Sequence, residues 1–154
     1  MKIQWKKLIL CIAVPLAVGA LAELLTRDSM QLFETLEKPS LAPPGWLFPV
    51  AWTILYVLMG IASYLVLVSG KPCRNAMILY AVQLVFNFLW PIVFFNFQLY
   101  LFAFVWLVAL WVLIFATATA FYRISKSAGI LMVPYLLWVT FAGYLNLSIY
   151  LLNG

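Results

Sequence analysis

The sequence predicts an all-α membrane protein, a bundle of five transmembrane helices with a long loop between the first and second. Three observations carry that reading. The 154 residues are 68% hydrophobic and 8% charged, far from the roughly half-apolar, quarter-charged make-up of soluble domains. Mean hydropathy is +1.11. The apolar residues fall in five runs, each near the ~20 residues that a spanning helix needs. Together these runs consume roughly two thirds of the chain, so residues 1–154 are read as one membrane domain with no room for a soluble second one.

The first run, about 8–25, follows Lys2, Lys6 and Lys7. That is also the layout of a signal peptide, with Ala20-Leu21-Ala22 as a cleavage site. The run exceeds an ordinary signal h-region, so a retained helix is expected. Residues 26–47, TRDSMQLFETLEKPSLAPPGWL, form the one long polar connection and hold three of the four acids. The second span, 47–68, is ended by Ser69-Gly70-Lys71-Pro72. The third, 76–95, and the fourth, 99–122, are separated by little more than Asn96-Phe97-Gln98, which implies a tight helical hairpin. After residues 123–127 the fifth span occupies 128–152. No internal repeat is visible, and an odd span count argues against a simple inverted-repeat transporter.

With five spans, Lys2, Lys6, Lys7, Lys71, Arg74, Arg123 and Lys126 share one side of the bilayer, and only Arg27 and Lys38 lie on the other. The excess of basic residues on one side predicts a cytoplasmic amino terminus, with the 26–47 connection and the carboxyl terminus outside. Cys11 and Cys73 then lie toward the reducing side, and no disulfide is expected. The net charge of +5 is scattered between apolar runs and forms no stripe, so nucleic acid is not an expected partner. Histidine is absent, which removes the commonest metal ligand and the commonest general base. The two cysteines lack zinc-type spacing. Neither a metal centre nor a Ser-His hydrolase is expected.

Polar side chains in a spanning helix usually face the bundle interior. In the third span Gln83, Asn87 and Trp90 stand at offsets of four and three, on one face. Tyr135, Trp138, Ala142 and Asn146 share a face of the fifth span, and Trp52, Tyr56, Met59 and Ser63 a face of the second. Indole, amide and small residues so arranged suit a pocket for a flat, mostly apolar ligand. The plainer reading is that amides bridge neighbouring helices and that Trp and Tyr form interfacial belts. Trp106 and Trp111, without polar companions in sequence, read as lipid-facing or packing residues. Ala13 with Ala17, and Ala116 with Ala120, have the spacing of helix contacts. Glu23, the one acid inside an apolar run, reads as a capping or loop-anchoring residue.

The stretch LEKPSLAPPGW, followed by VAWTILYVLMGIASYL, resembles the signature of the TspO/MBR family, the bacterial relatives of the mitochondrial translocator protein or peripheral-type benzodiazepine receptor. The similarity continues through QLVFNFLWPIVFF and PYLLWVTFAGYLNLSIYLLN. The resemblance implies a multi-pass protein of the bacterial cytoplasmic membrane, often a homodimer, that binds porphyrins, haem and isoquinoline-type ligands in a pocket under the first loop. It requires no cofactor; porphyrin or haem is the ligand. Carried onto this chain, the pocket takes Trp52 from the second span, Asn87 and Trp90 from the third, and Trp138, Ala142 and Leu145 from the fifth. Gln83 joins them from its helical face, and Phe33, Pro43, Pro44, Trp46 and Phe48 from the connection and the start of the second span. Trp52 and Trp138 also match a tryptophan pair implicated in light-dependent porphyrin breakdown.

The chain departs from the family pattern in places. Leu41 follows KPS where Trp is frequent, Phe33 replaces a loop Tyr, and Trp106 stands where some members have an acid. Leu147 and Leu151 replace the Tyr and Arg of the sterol-recognition pattern, so sterol binding through that motif is not expected. The leading functional expectation is a binding protein of sensor or transporter type for a planar tetrapyrrole-like ligand. A porphyrin-degrading photochemical enzyme is the alternative. A coupled secondary transporter is weakest, because intramembrane ionisable residues are nearly absent. KPSLAPPGW itself reads as a proline-stiffened strut on the hinge side of a cover over the pocket.

Overall fold

The computed structural model describes residues 2–153. Helix α1 spans Trp5–Thr26; a 3-10 turn, Arg27–Ser29, joins it to the short α2, Met30–Glu34. Helices α3 (Leu47–Leu67), α4 (Arg74–Pro91) and α5 (Tyr100–Ile124) follow, and α4 continues into a widened π turn, Ile92–Asn96. The short α6, Lys126–Leu131, precedes α7, Val133–Asn153. There is no strand among the described residues. Five helical stretches are long and apolar enough to cross a membrane: Trp5–Glu34, Leu47–Leu67, Arg74–Asn96, Tyr100–Ile124 and Lys126–Asn153.

The long loop expected over residues 26–47 is corrected by the structure. Residues 26–34 are helical, and only residues 35–46 are irregular. Asp28, Ser29 and Glu34 give the stretch a loop-like composition, yet beyond the apolar run a helix can carry polar residues on solvated faces. The fifth span also differs, because it begins at Lys126 and breaks at Met132. Pro134, which has no N–H to donate, stands two residues after the break.

Prolines shape two other helices. Pro15 is buried within α1. Pro91 ends the regular part of α4, where the missing donor and ring bulk favour the wider turn that follows. The hairpin to α5 closes through Phe97 N–H to Ile92 O (3.1 Å) and Leu99 N–H to Val93 O (3.3 Å). Gln98 turns it in the left-handed region, φ 55°. At the opposite end Lys71 donates to Ile124 O at 2.9 Å, a cation on the orphan carbonyls of a helix terminus.

The helices close a ring. α1 packs on α3, α3 on α6, α6 and α7 on α5, α5 on α4, and α4 returns to α1. One end of this ring is solid: Met59, Ala62, Val66, Ile114, Phe121, Ala128 and Met132 are fully buried there or at mid-height. Gly60 permits this closeness. A Cβ on it would fall 2.6 Å from Ile12 Cα and 2.7 Å from Cys11 O, so α1 and α3 meet backbone to backbone. Ala13 and Ala17, expected as contacts, are exposed. Trp106 and Trp111 do pack, Trp106 on Phe86 at 4.2 Å and Trp111 on Phe115 at 5.7 Å. Each also finds an acceptor, Phe86 O at 2.9 Å and Thr140 Oγ1 at 2.8 Å, which the sequence reading missed.

Candidate functional site

At the other end the ring is hollow. α3 meets the fifth span chiefly through α6 and only sparsely through α7, so beyond the break at Met132 the two helices part. Between them, α1 and α4 lies a cavity of about 590 Å³, within the ~300–1,000 Å³ range of small-molecule sites.

Its floor is polar and internally hydrogen-bonded. Tyr56 donates to Asn87 Oδ1 (2.9 Å), Asn87 Nδ2 to the Tyr135 hydroxyl (2.6 Å), and Tyr135 in turn to Gln83 Oε1 (2.8 Å). All four residues are buried. In a low-dielectric interior such a chain fixes its members in one arrangement. Tyr56 and Asn87 face the cavity, while Gln83 and Tyr135 lie beneath. The chain ends at Gln83 Nε2, which has no partner in the structure; the Tyr80 hydroxyl and Trp138 Nε1 are likewise buried and unpaired.

The walls are indole. Trp52 stacks on Tyr56 at 5.6 Å and meets Trp138 edge-on at 6.4 Å. Phe48 abuts the Trp138 ring at 6.0 Å. Trp90 stacks on Phe94 at 5.2 Å, and its Nε1 donates to Asn146 Oδ1 at 3.0 Å. Asn146 donates in turn to Tyr100 O at 2.8 Å, so Trp90 is held from α7 and α5 together. Ala142 and Leu145 complete the α7 wall. The small side chain of Ala142 leaves room between the rings.

Residues 35–46, with α2, cover the opening. Phe33 sets α2 against Phe94 and Phe95 at ring distances of 5.8 and 5.2 Å. Two asparagines pin the rest. Asn96 takes a bond from Ser29 Oγ (2.6 Å) and gives one to Leu25 O (2.9 Å). Asn153 grips both backbone groups of Glu37, accepting from its N–H at 3.1 Å and donating to its carbonyl at 2.9 Å. In the proline stretch Ala42 N–H bonds Pro39 O and Leu47 N–H bonds Pro44 O, each at 3.0 Å, which folds KPSLAPPGW into two turns over the cavity.

Of the residues singled out from sequence, Phe33, Pro43, Phe48, Trp52, Asn87, Trp90, Trp138, Ala142 and Leu145 come together on this cavity. Three do not. Gln83 is beneath the floor, Pro44 is exposed, and Trp46 is 67% exposed beside the start of α3. The whole α1 wall went unnoticed in the sequence, although Leu16, Gly19, Glu23 and Arg27 follow helical offsets of three and four. Gly19 is needed there because a Cβ would fall on the Tyr56 ring. The Glu23 side chain makes no hydrogen bond among the described residues. It lines the cavity and does not cap or anchor the loop. No group of three or more His, Cys, Asp or Glu side chains suited to a metal ion occurs among the described residues. What the site offers is stacking area, a rigid polar floor and a latched cover.

A match to the TspO/MBR family runs over residues 11–152. The chain belongs to the TspO/MBR family. It is 45% identical over 150 residues to the tryptophan-rich protein TspO of Chlorobaculum tepidum, covering 95% of each chain. The tryptophan-rich sensory protein of Cereibacter sphaeroides is 37% identical over 153 residues, 99% of this chain and 95% of its own. The translocator protein of Bos taurus is 36% identical over 138 residues, 86% of this chain and 82% of its own. Family membership and five spanning helices make it a multi-pass membrane protein. In this TspO/MBR member the KPSLAPPGW stretch forms part of the cavity cover, and Trp52 and Trp138 are in ring contact on one wall.

Proposed function

We propose that the protein is a membrane binding protein, of sensor or transporter type, for porphyrin- or haem-like planar ligands. The observation that carries this reading is the cavity itself, where Trp52, Trp90 and Trp138 enclose a slot above the Tyr56–Asn87 floor. Such rings supply large apolar contact area with defined geometry. Asn87 gives one amide N–H to Tyr135 and keeps a second for a ligand acceptor. Relatives carrying the names sensory protein and translocator protein favour the same class. Because the chain has no histidine, haem lacks its commonest protein ligand, and recognition rests on the macrocycle. Tryptophan-fluorescence titration is the test: metal-free protoporphyrin is expected to bind at least as well as haem, and an absolute requirement for iron defeats the reading.

The edge contact between Trp52 and Trp138 supports a second reading, light-dependent degradation of the bound porphyrin. Under illumination the Soret band is then expected to decay in wild type and to persist in Trp138→Phe; equal decay reduces Trp138 to a packing residue. The distribution of basic residues supports a place in the bacterial cytoplasmic membrane with the amino terminus inside and the cavity toward the outer face. Labelling of a cysteine introduced at Leu41, which is 69% exposed on the cover, by an impermeant thiol reagent on intact cells checks this orientation.

A further inference from the structure

The cavity wall is nearly all apolar or neutral, and its three charged side chains are Glu23, Arg27 and Lys38. Glu23 and Arg27 stand four apart where α1 runs into the 3-10 turn, a spacing at which opposite charges ordinarily pair. No ion pair joins them, or any other side chains, among the described residues. Lys38 comes from the cover. Its ammonium donates to Glu34 O and Leu36 O, each at 3.3 Å, and rests 4.8 Å over the Phe33 ring. Of its three donors one remains. The Arg27 guanidinium has no hydrogen-bond acceptor among the described residues. Two cations thus face the cavity with unused donors, against one acid.

The opposite end cannot take a negative charge. Tyr56 donates to Asn87, Asn87 to Tyr135 and Tyr135 to Gln83. The unpaired Gln83 amide lies beneath the floor, so a single Asn87 N–H is left toward the cavity, enough for a neutral acceptor. A carboxylate seated there would be desolvated without compensation. At the cover it would stay partly hydrated and would meet a planar guanidinium suited to carboxylate oxygens.

We propose that Arg27 and Lys38 receive an anionic edge of the ligand, so that the site selects an amphipathic planar molecule bearing carboxylate on one side. The apolar body lies between the indoles and the carboxylate points toward the cover. This inference rests on the ligand class proposed above and adds to it both an orientation and a chemical requirement. Glu23, on the same α1 face as Arg27, opposes the anion and tempers the affinity.

Protoporphyrin IX, a diacid, and its uncharged dimethyl ester separate the two ideas in titrations of the full-length protein in zwitterionic nanodiscs. Arg27→Gln and Lys38→Gln should each weaken the diacid about fivefold, and the double variant more than tenfold. All three should leave the ester within about twofold of wild type. Glu23→Gln should change the sign, tightening the diacid about threefold without affecting the ester. Added salt should weaken the diacid alone. Equal effects on acid and ester, or no effect on either, overturn the charge recognition while leaving the ligand class intact. Failure of both molecules to bind wild type overturns the ligand class itself.

Discussion

The two ends of the bundle are built from the same helices and differ in what lies between them. At one end Gly60 lets α1 and α3 touch through their backbones, and Phe121, Ala128 and Met132 are fully buried. At the other, α3 and α7 part around about 590 Å³. The contrast shows how a short chain combines a durable scaffold with a hollow. Small side chains and close backbones fix one end, so the other can be held open by rings and hydrogen bonds instead of by packing.

Substitutions at the two ends should therefore have different signatures. The largest loss of stability is expected at the packed end. Gly60→Leu should cost about 3 kcal/mol or more, because the clash is with backbone atoms that cannot swing aside. Thermal unfolding in detergent reads this, and an unchanged midpoint means that the helices do not approach as closely as described. Asn87→Leu comes next. It strands the Tyr56 hydroxyl and takes one donor from that of Tyr135, which keeps its bond to Gln83. The change should remove about 2 kcal/mol while weakening protoporphyrin roughly tenfold. Loss of stability with full affinity would make the floor purely structural.

Trp90→Phe keeps an aromatic face but loses the indole's second ring together with the bond to Asn146, so about 1–2 kcal/mol is at stake. Its effect should be felt chiefly as a modest loss of affinity, and an affinity equal to wild type would show that the wall does not need that bond. Asn153→Ala should be smallest in stability, under about 1 kcal/mol, and clearest in kinetics. Stopped-flow quenching should show association and dissociation both faster at nearly constant Kd. A change in dissociation alone would mean that Asn153 senses the bound ligand and does not latch the cover.

Much of this architecture is legible in the sequence, for definite reasons. Span number and rough limits follow from hydropathy, because no other arrangement hides five such runs of backbone from lipid. The inward faces of α3, α4 and α7 follow from helical offsets, and that is why Trp52, Asn87, Trp90 and Trp138 could be named together. Pairings across helices are another matter. That Trp90 bonds Asn146, or that Tyr135 bridges Asn87 to Gln83, depends on helix rotation and depth, which no single run encodes. The α1 wall escaped because its cavity face carries Gly19, Ala20 and Ala22, residues too plain to stand out. Pro134 is visible, but a proline near the start of an apolar run is equally compatible with an unbroken span. Asn96 and Asn153 sit among residues of unremarkable loop and terminal character, and nothing local marks them as latches.

The bond between Asn153 and Glu37 joins residues 116 positions apart. During synthesis the segment that roofs the cavity therefore leaves the ribosome long before its partner exists, and four spans must be laid down before the fifth delivers it. Closure of the roof belongs to the last stage of assembly. A nascent chain lacking α7 would have neither the latch nor the Trp138 wall, so the capacity to enclose a ligand arrives only with completion of the bundle.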